Sequence, residues 1–139
     1  MMRSKNIVKL LPQAIRKGLP ADIQIVEVSE SESRRLNLIY RGKRKPANVL
    51  SFFYDKEYGE IIVCPALIRR EAKAQGNSFE YQMTWMIVHG MIHLSGSHHE
   101  KSAVAAQQVS RLEQKILRTF FGSLKSEIRN PKSETNPKL

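Results

Sequence analysis

The stretch Met83-Thr84-Trp85-Met86-Ile87-Val88-His89-Gly90-Met91-Ile92-His93-Leu94 is apolar almost all the way round a helical wheel. A helix without a polar face has no place on a surface. It has to run through the middle of a core, with the rest of the chain wrapped about it. The flanking residues suit such a helix. Ser78 is a good N-cap, and Gly96 lies where the helix should end and the chain turn back. Two histidines inside this helix demand an explanation, because a buried imidazole without a polar partner is costly.

The other segments read as covering elements. Leu10 to Leu19 predicts a short helix with Pro12 in its first turn, ended by Pro20. Ile23, Ile25 and Val28 mark a strand. Ser29 followed by Glu32 fits a capping box, predicting a helix over 30–40 with Leu36 and Tyr40 as its inner stripe. Val49, Leu50, Phe52 and Phe53 predict a mostly buried strand, Gly59 a turn, and Ile61 to Cys64 a second buried strand. Their short connection makes the pair an antiparallel hairpin. Pro65 suits the start of a helix that Gly76 stops. A last amphipathic helix is expected over 101–121, with Val104, Val109, Leu112, Ile116, Leu117 and Phe120 facing inward and Gly122 closing it. From Lys125 the chain is polar, with Pro131 and Pro137, and reads as disordered. The expected organisation is therefore one domain over 1–123 and a polar tail over 124–139. The expected fold class is α+β, a small mixed β-sheet covered by helices.

Charge narrows the function. Lys and Arg total 23 against 13 Asp and Glu, a formal net charge of +10 on 139 residues. Such a surplus points to a polyanionic partner. No apolar run approaches a membrane span, and the basic residues do not form one face of a long amphipathic helix, so no membrane role is expected. The opening MMRSKNIVKLLP lacks the pattern of a signal peptide. Cys64 is the sole cysteine, which excludes an internal disulfide and a four-cysteine zinc site. These features favour a reducing, cytoplasmic location.

All four histidines fall within His89-Gly90-Met91-Ile92-His93-Leu94-Ser95-Gly96-Ser97-His98-His99. On a helix, His89 and His93 are about 40° apart in azimuth and about 6 Å apart in rise. Both imidazoles can reach one ion at about 2.0–2.1 Å. Past the glycine bend, His99 can swing back as a third ligand. Three imidazoles suit one Zn²⁺ and leave a fourth position for water, the pattern of a catalytic site. His98 reads equally as a surface residue, a supporting group or a substitute ligand. The spacing H-x-x-x-H-x-x-G-x-x-H is that of the metzincin peptidases, in which a glutamate after the first histidine acts as general base. That position is Gly90, which has no side chain, so a metallopeptidase is disfavoured. Because the ligands must be neutral imidazoles, metal occupancy should fall below about pH 6.5.

The chain resembles the YbeY endoribonucleases, bacterial factors of ribosomal RNA maturation. The family motif, roughly H-G-x-x-H-L-x-G-x-D-H, is matched by HGMIHLSGSHH over residues 89–99. Upstream, Leu36-Asn37, Tyr40-Arg41-Gly42-Lys43 and Pro46-Ala47-Asn48-Val49-Leu50-Ser51-Phe52 match the family's LN, YRGK and proline-led VLSF blocks. Gly59-Glu60-Ile61-Ile62-Val63-Cys64 matches its GDIVIC-like strand, and Glu71-Ala72 and Glu113 fall at its EA pair and late glutamate. The likeness spans roughly residues 20–121. It departs at His98, where the family has aspartate, and at Ala47, Phe53 and Glu60.

The resemblance implies an α+β fold with a three-histidine metal site in a cleft. It implies zinc-dependent cleavage of single-stranded RNA in ribosomal RNA processing and ribosome quality control, and contact with the small ribosomal subunit and its proteins. It also points to Arg41, which matches a family arginine tied to activity. Arg41 is the candidate for the scissile phosphate, since its planar fork can grip two phosphate oxygens and stabilise added charge. Residues 34–45 carry Arg34, Arg35, Arg41, Lys43, Arg44 and Lys45 and no acid. Of these, Lys43, Arg44 and Lys45 are the candidates for contacts along the RNA backbone. Zinc-activated water or the RNA's own 2′-hydroxyl are both open as nucleophile. A binding protein for ribosome assembly, braced by a structural zinc and lacking turnover, is the competing expectation.

Overall fold

The apolar stretch does become the axis of the fold. The computed structural model describes residues 4–96 and 102–122. The elements are α1 (Ser4–Val8), α2 (Gln13–Arg16), β1 (Asp22–Glu27), α3 (Glu30–Arg41), β2 (Val49–Phe53), β3 (Tyr58–Val63), α4 (Pro65–Gln75), α5 (Phe79–Leu94) and α6 (Ala103–Phe121). α5 buries Met83, Met86, Ile87, Val88, Met91, Ile92 and Leu94. Each such side chain contributes at most about 1.5–3 kcal/mol over leaving it in water. Ser78 caps α5 as expected, its Oγ accepting from the Tyr81 N–H at 3.1 Å. Gly96 takes φ 89° just beyond the helix, a conformation that favours glycine.

One three-stranded sheet lies against α5, in the order β1-β3-β2. β1 runs parallel to β3, and β2 antiparallel to it, so the sheet is mixed, as expected. The central strand β3 buries Ile61 and Val63 completely. α4 begins at Pro65 and ends at Gly76, φ 74°, and α6 is capped by Ser102, whose Oγ accepts from the Ala105 N–H.

The structure corrects several local expectations. Gly59 lies inside β3, paired with Ile23 and Phe53. The turn is at 54–57, where Asp55 Oδ1 accepts from the N–H groups of Glu57 and Tyr58. The glycine is there for space: a Cβ would come within 2.7 Å of Pro20 Cγ and 3.2 Å of the Phe52 carbonyl oxygen. Phe53 is 52% exposed because β2 is an edge strand. α3 does not bury Leu36 and Tyr40. It buries Ser33 and Asn37, while Leu36 is half-buried and Tyr40 is exposed. The polar pair is inside because the backbone of 45–47 needs partners there. Ser33 Oγ donates to the Ala47 carbonyl at 2.7 Å and accepts from the Ala47 N–H at 2.9 Å; Asn37 Nδ2 donates to the Lys45 carbonyl at 2.8 Å.

At the N-terminus, α1 was not foreseen, and α2 is shorter than the helix expected over 10–19. Pro12 precedes α2 in extended conformation. Ile7 and Leu11 anchor this region in the core, a pattern too brief to announce a helix. On α6, Val104 is exposed in the first turn, and Glu113 joins Ile116 and Leu117 in the interior. Lys101, the expected start of the last helix, and the tail over 124–139 lie outside the described residues.

Candidate active site

α5 brings His89 and His93 together on one face. Their ring centroids are 4.6 Å apart, with the planes inclined at 58°. Both rings are half-buried, with the His89 side chain 30% exposed. They line a cleft of about 670 Å³ together with Gly90, the edge strand β2 from Val49 to Phe52, Asn48, and Tyr40 and Arg41 from the last turn of α3. Three of the candidate site residues, His89, His93 and Arg41, thus line one cleft.

Behind His89 stands a carboxylate. Glu113 of α6 is buried, and its Oε2 lies 2.6 Å from His89 Nδ1. Its Oε1 accepts from Trp85 Nε1 at 3.0 Å. Opposite an ionised Glu113 a neutral His89 would carry its proton on Nδ1, which would leave the lone pair on Nε2. That is the tautomer a metal ligand requires, and the carboxylate behind the ring is its usual support. The residue-level reading of the sequence gave Glu113 no role; only the family motif pointed to it. The signal was an acid on the inner side of an amphipathic helix, four residues after Val109 and three before Ile116. Trp85 is held by the same carboxylate and half-buried, consistent with a packing role.

Gly90 explains why no glutamate occupies the peptidase position. A Cβ here would stand 3.0 Å from both Ile61 Cγ2 and Val49 Cγ2 and 3.2 Å from Ser51 Oγ. The position faces the sheet, which leaves no room for a longer side chain. The helix approaches β2 so closely that Ser51 Oγ donates to the Gly90 carbonyl at 2.6 Å. Ser51 is therefore a structural clamp between strand and helix.

A second cleft of about 460 Å³ adjoins the first and shares Arg41 and Asn48 with it. Its lining includes Lys43, Lys45, Asn37, Leu67 and Glu71. Asn48 Nδ2 donates to Glu71 Oε1 at 3.0 Å, fixing the residue common to both clefts. Arg41, Lys43, Arg44 and Lys45 are all exposed, but Arg44 lines neither cleft. Farther back on α3, Arg35 is paired with Glu32 at 2.7 Å. Among the described residues, the positive charge lining the two clefts is that of Arg41, Lys43 and Lys45.

His98 and His99 lie outside the described residues. Among the described residues no group of three His, Cys, Asp or Glu converges as a ligand set. The donor chemistry of the two described histidines nevertheless fits a metal: two imidazoles on one helical face, one of them backed by a carboxylate at Nδ1. Among the described residues no helix is long and apolar enough to cross a membrane.

Known proteins share this arrangement of chain. The family model described as "Endoribonuclease YbeY" matches residues 2–121. A Thermotoga maritima protein of that name is 29% identical over 136 residues, covering 96% of this chain and 89% of the relative. Its namesake from a Chelativorans species is 37% identical over 111 residues, covering 73% and 68%. A solution structure of a Thermotoga maritima protein superposes with a TM-score of 0.58 at 29% identity, covering 88% of this chain and 83% of the other.

Proposed function

The chain belongs to the YbeY endoribonuclease family, and from that premise we propose that it is a zinc-dependent endoribonuclease that cuts single-stranded RNA during ribosomal RNA processing and ribosome quality control in the cytoplasm. One observation carries the reading: the His89–His93 pair, with His89 fixed by Glu113, shares its cleft with Arg41. His89, His93 and His99 would hold one zinc ion per chain. A bound zinc ion supplies Lewis acidity and lowers the pKa of water toward about 7.

The protein's own groups do the rest. Glu113 holds the Nδ1 proton of His89 and so keeps Nε2 as the donor to metal. Arg41, in the last turn of α3, lines the same cleft. Its guanidinium takes the scissile phosphate and stabilises the extra charge of the transition state. Lys43 and Lys45, in the adjoining cleft, take the next phosphates along the strand. No carboxylate lines the main cleft among the described residues, so no protein base is assigned. The partners are ribosomal RNA and, through the family, the small ribosomal subunit and its proteins.

Two variants test the assignment. Arg41→Glu should retain zinc and thermal stability and lose cleavage by about 10²-fold or more, as expected when a charge-stabilising donor is reversed. His93→Ala should lose zinc by elemental analysis. A fully metallated His93→Ala protein would refute the ligand set. A wild-type protein that binds RNA with steep salt dependence but never cleaves it, even with zinc added, would leave the assembly-factor reading in its place.

A further inference from the structure

The ring most exposed at the cleft belongs to the residue beside Arg41. Tyr40 is 62% exposed although it sits in the last turn of α3, where its ring would be expected to turn inward. It is nonetheless fixed. Its ring meets Phe52 of β2 edge-on, with centroids 4.9 Å apart and planes at 68°. Both rings line the same cleft as Arg41, His89 and His93. An exposed aromatic ring held in edge-to-face contact with a neighbour has little orientational freedom left to lose when a flat ligand settles on it.

The other aromatic residues suit this role less well. Trp85 donates its N–H to the buried Glu113. Tyr54 and Tyr58 stack on each other at 5.6 Å, and both hydroxyls donate to Glu60, which pushes the Tyr58 hydroxyl pKa up to about 12. A carboxylate at that spot repels a phosphate chain. Beside Tyr40 stand the Arg41 cation, its neighbour in the chain, and Arg35, while Glu60 lies across the strands from Phe52 with its carboxylate taken up by the two tyrosine hydroxyls.

We propose that Tyr40, braced by Phe52, is a stacking platform for one unpaired base of the RNA strand, set beside the phosphate that Arg41 grips. The proposal rests on the reading of the cleft as an RNA site. Consecutive residues of one helical turn then contact consecutive parts of one nucleotide unit, the base on the ring and the phosphate on the guanidinium. Selection for single strands follows from geometry. A base inside a duplex has both faces covered by its stacked neighbours and cannot lay one on Tyr40, whereas an unpaired base can. Phe52 acts as a positioning residue, since it touches Tyr40 and sets the angle of its ring.

The test uses the full-length protein and a short single-stranded RNA carrying 2-aminopurine, read before turnover, alongside a wholly abasic ribose-phosphate oligomer. Wild-type protein should quench the 2-aminopurine. Tyr40→Leu should abolish the quenching and weaken binding of the base-bearing strand by about 5- to 100-fold, while leaving the abasic oligomer unaffected. Tyr40→Phe should restore both signals. The platform is overturned if Tyr40→Leu binds the base-bearing RNA as tightly as wild type, or weakens on both oligomers equally. Wild-type protein that binds neither oligomer would remove the RNA reading itself, and the platform with it.

Discussion

The two walls of the cleft are built on opposite principles. One wall is the second half of α5, where every residue from Met86 to Leu94 but the histidines is apolar and buried, and where close packing against β2 and β3 fixes the backbone. The other is α3 with the strand β2, where the residues that α3 buries are the polar Ser33 and Asn37 and its exposed ones include Leu38, Ile39 and Tyr40. The first wall is held by burial and is rigid. The second is pegged by three hydrogen bonds to residues 45–47, which end the cationic stretch 41–45. The proposed metal ligands His89 and His93 sit on the closely packed wall, and the groups proposed to meet a flexible polyanion sit on the wall that has fewer constraints. This division suits a ligand shell intolerant of misplacement and a substrate that is itself mobile.

The contrast can be broken most severely at Gly90. Gly90→Glu forces a carboxylate between α5 and β2, against Ile61, Val49 and Ser51. Overpacking and burial of a charge together should cost about 3 kcal/mol or more, well above the roughly 1 kcal/mol that a better helix former returns. Denaturant unfolding measures it, and near-wild-type stability would show that the wall is softer than its packing implies. Next is Glu113→Gln, which keeps the shape of the side chain but removes the charge behind His89. Zinc affinity, read by chelator competition, should fall about 10- to 100-fold while RNA affinity without zinc stays level.

On the second wall, Ser33→Ala strips Ala47 of both hydrogen bonds. The expected loss is about 1–2 kcal/mol in urea unfolding, with amide exchange quickening in 45–48 and not in α5. The smallest effect belongs to the surface pair Arg70–Glu30, 2.7 Å apart and solvent-exposed. The hydrogen bond from Arg70 holds the Glu30 carboxyl below its ordinary range. A lowered folded-state pKa gives stability that is present above the unfolded value of about 4.3 and is lost as pH falls through the folded one. Glu30→Gln should therefore lower Tm slightly at pH 7 and leave it unchanged in strong acid. A constant difference at all pH values would mean that packing, and not charge, joins α3 to α4.

The sequence carried much of this plan in particular residues. The run of 83–94, apolar nearly all round and preceded by the cap Ser78, specified α5 as the central helix, because no amphipathic alternative exists for it. The spacing of His89 and His93 specified their shared face, since i and i+4 always project together from a helix. The Tyr-Arg-Gly-Lys run specified where cations gather. The family blocks in order specified the membership. What residue order did not reveal was set by distance in space. Glu113 is 24 positions from His89, and only the packing of α6 on α5 delivers its carboxylate to Nδ1. Gly59 reads as a turn until Pro20 and Phe52 close around it. Tyr40 and Leu36 read as an inner stripe until the backbone at 45–47 requires Ser33 and Asn37 there instead. Periodicity is a local property and determines which elements form. Hydrogen-bond satisfaction and close approach are decided between elements, and only the tertiary structure settles which polar side chain belongs inside and which aromatic ring is left facing the cleft.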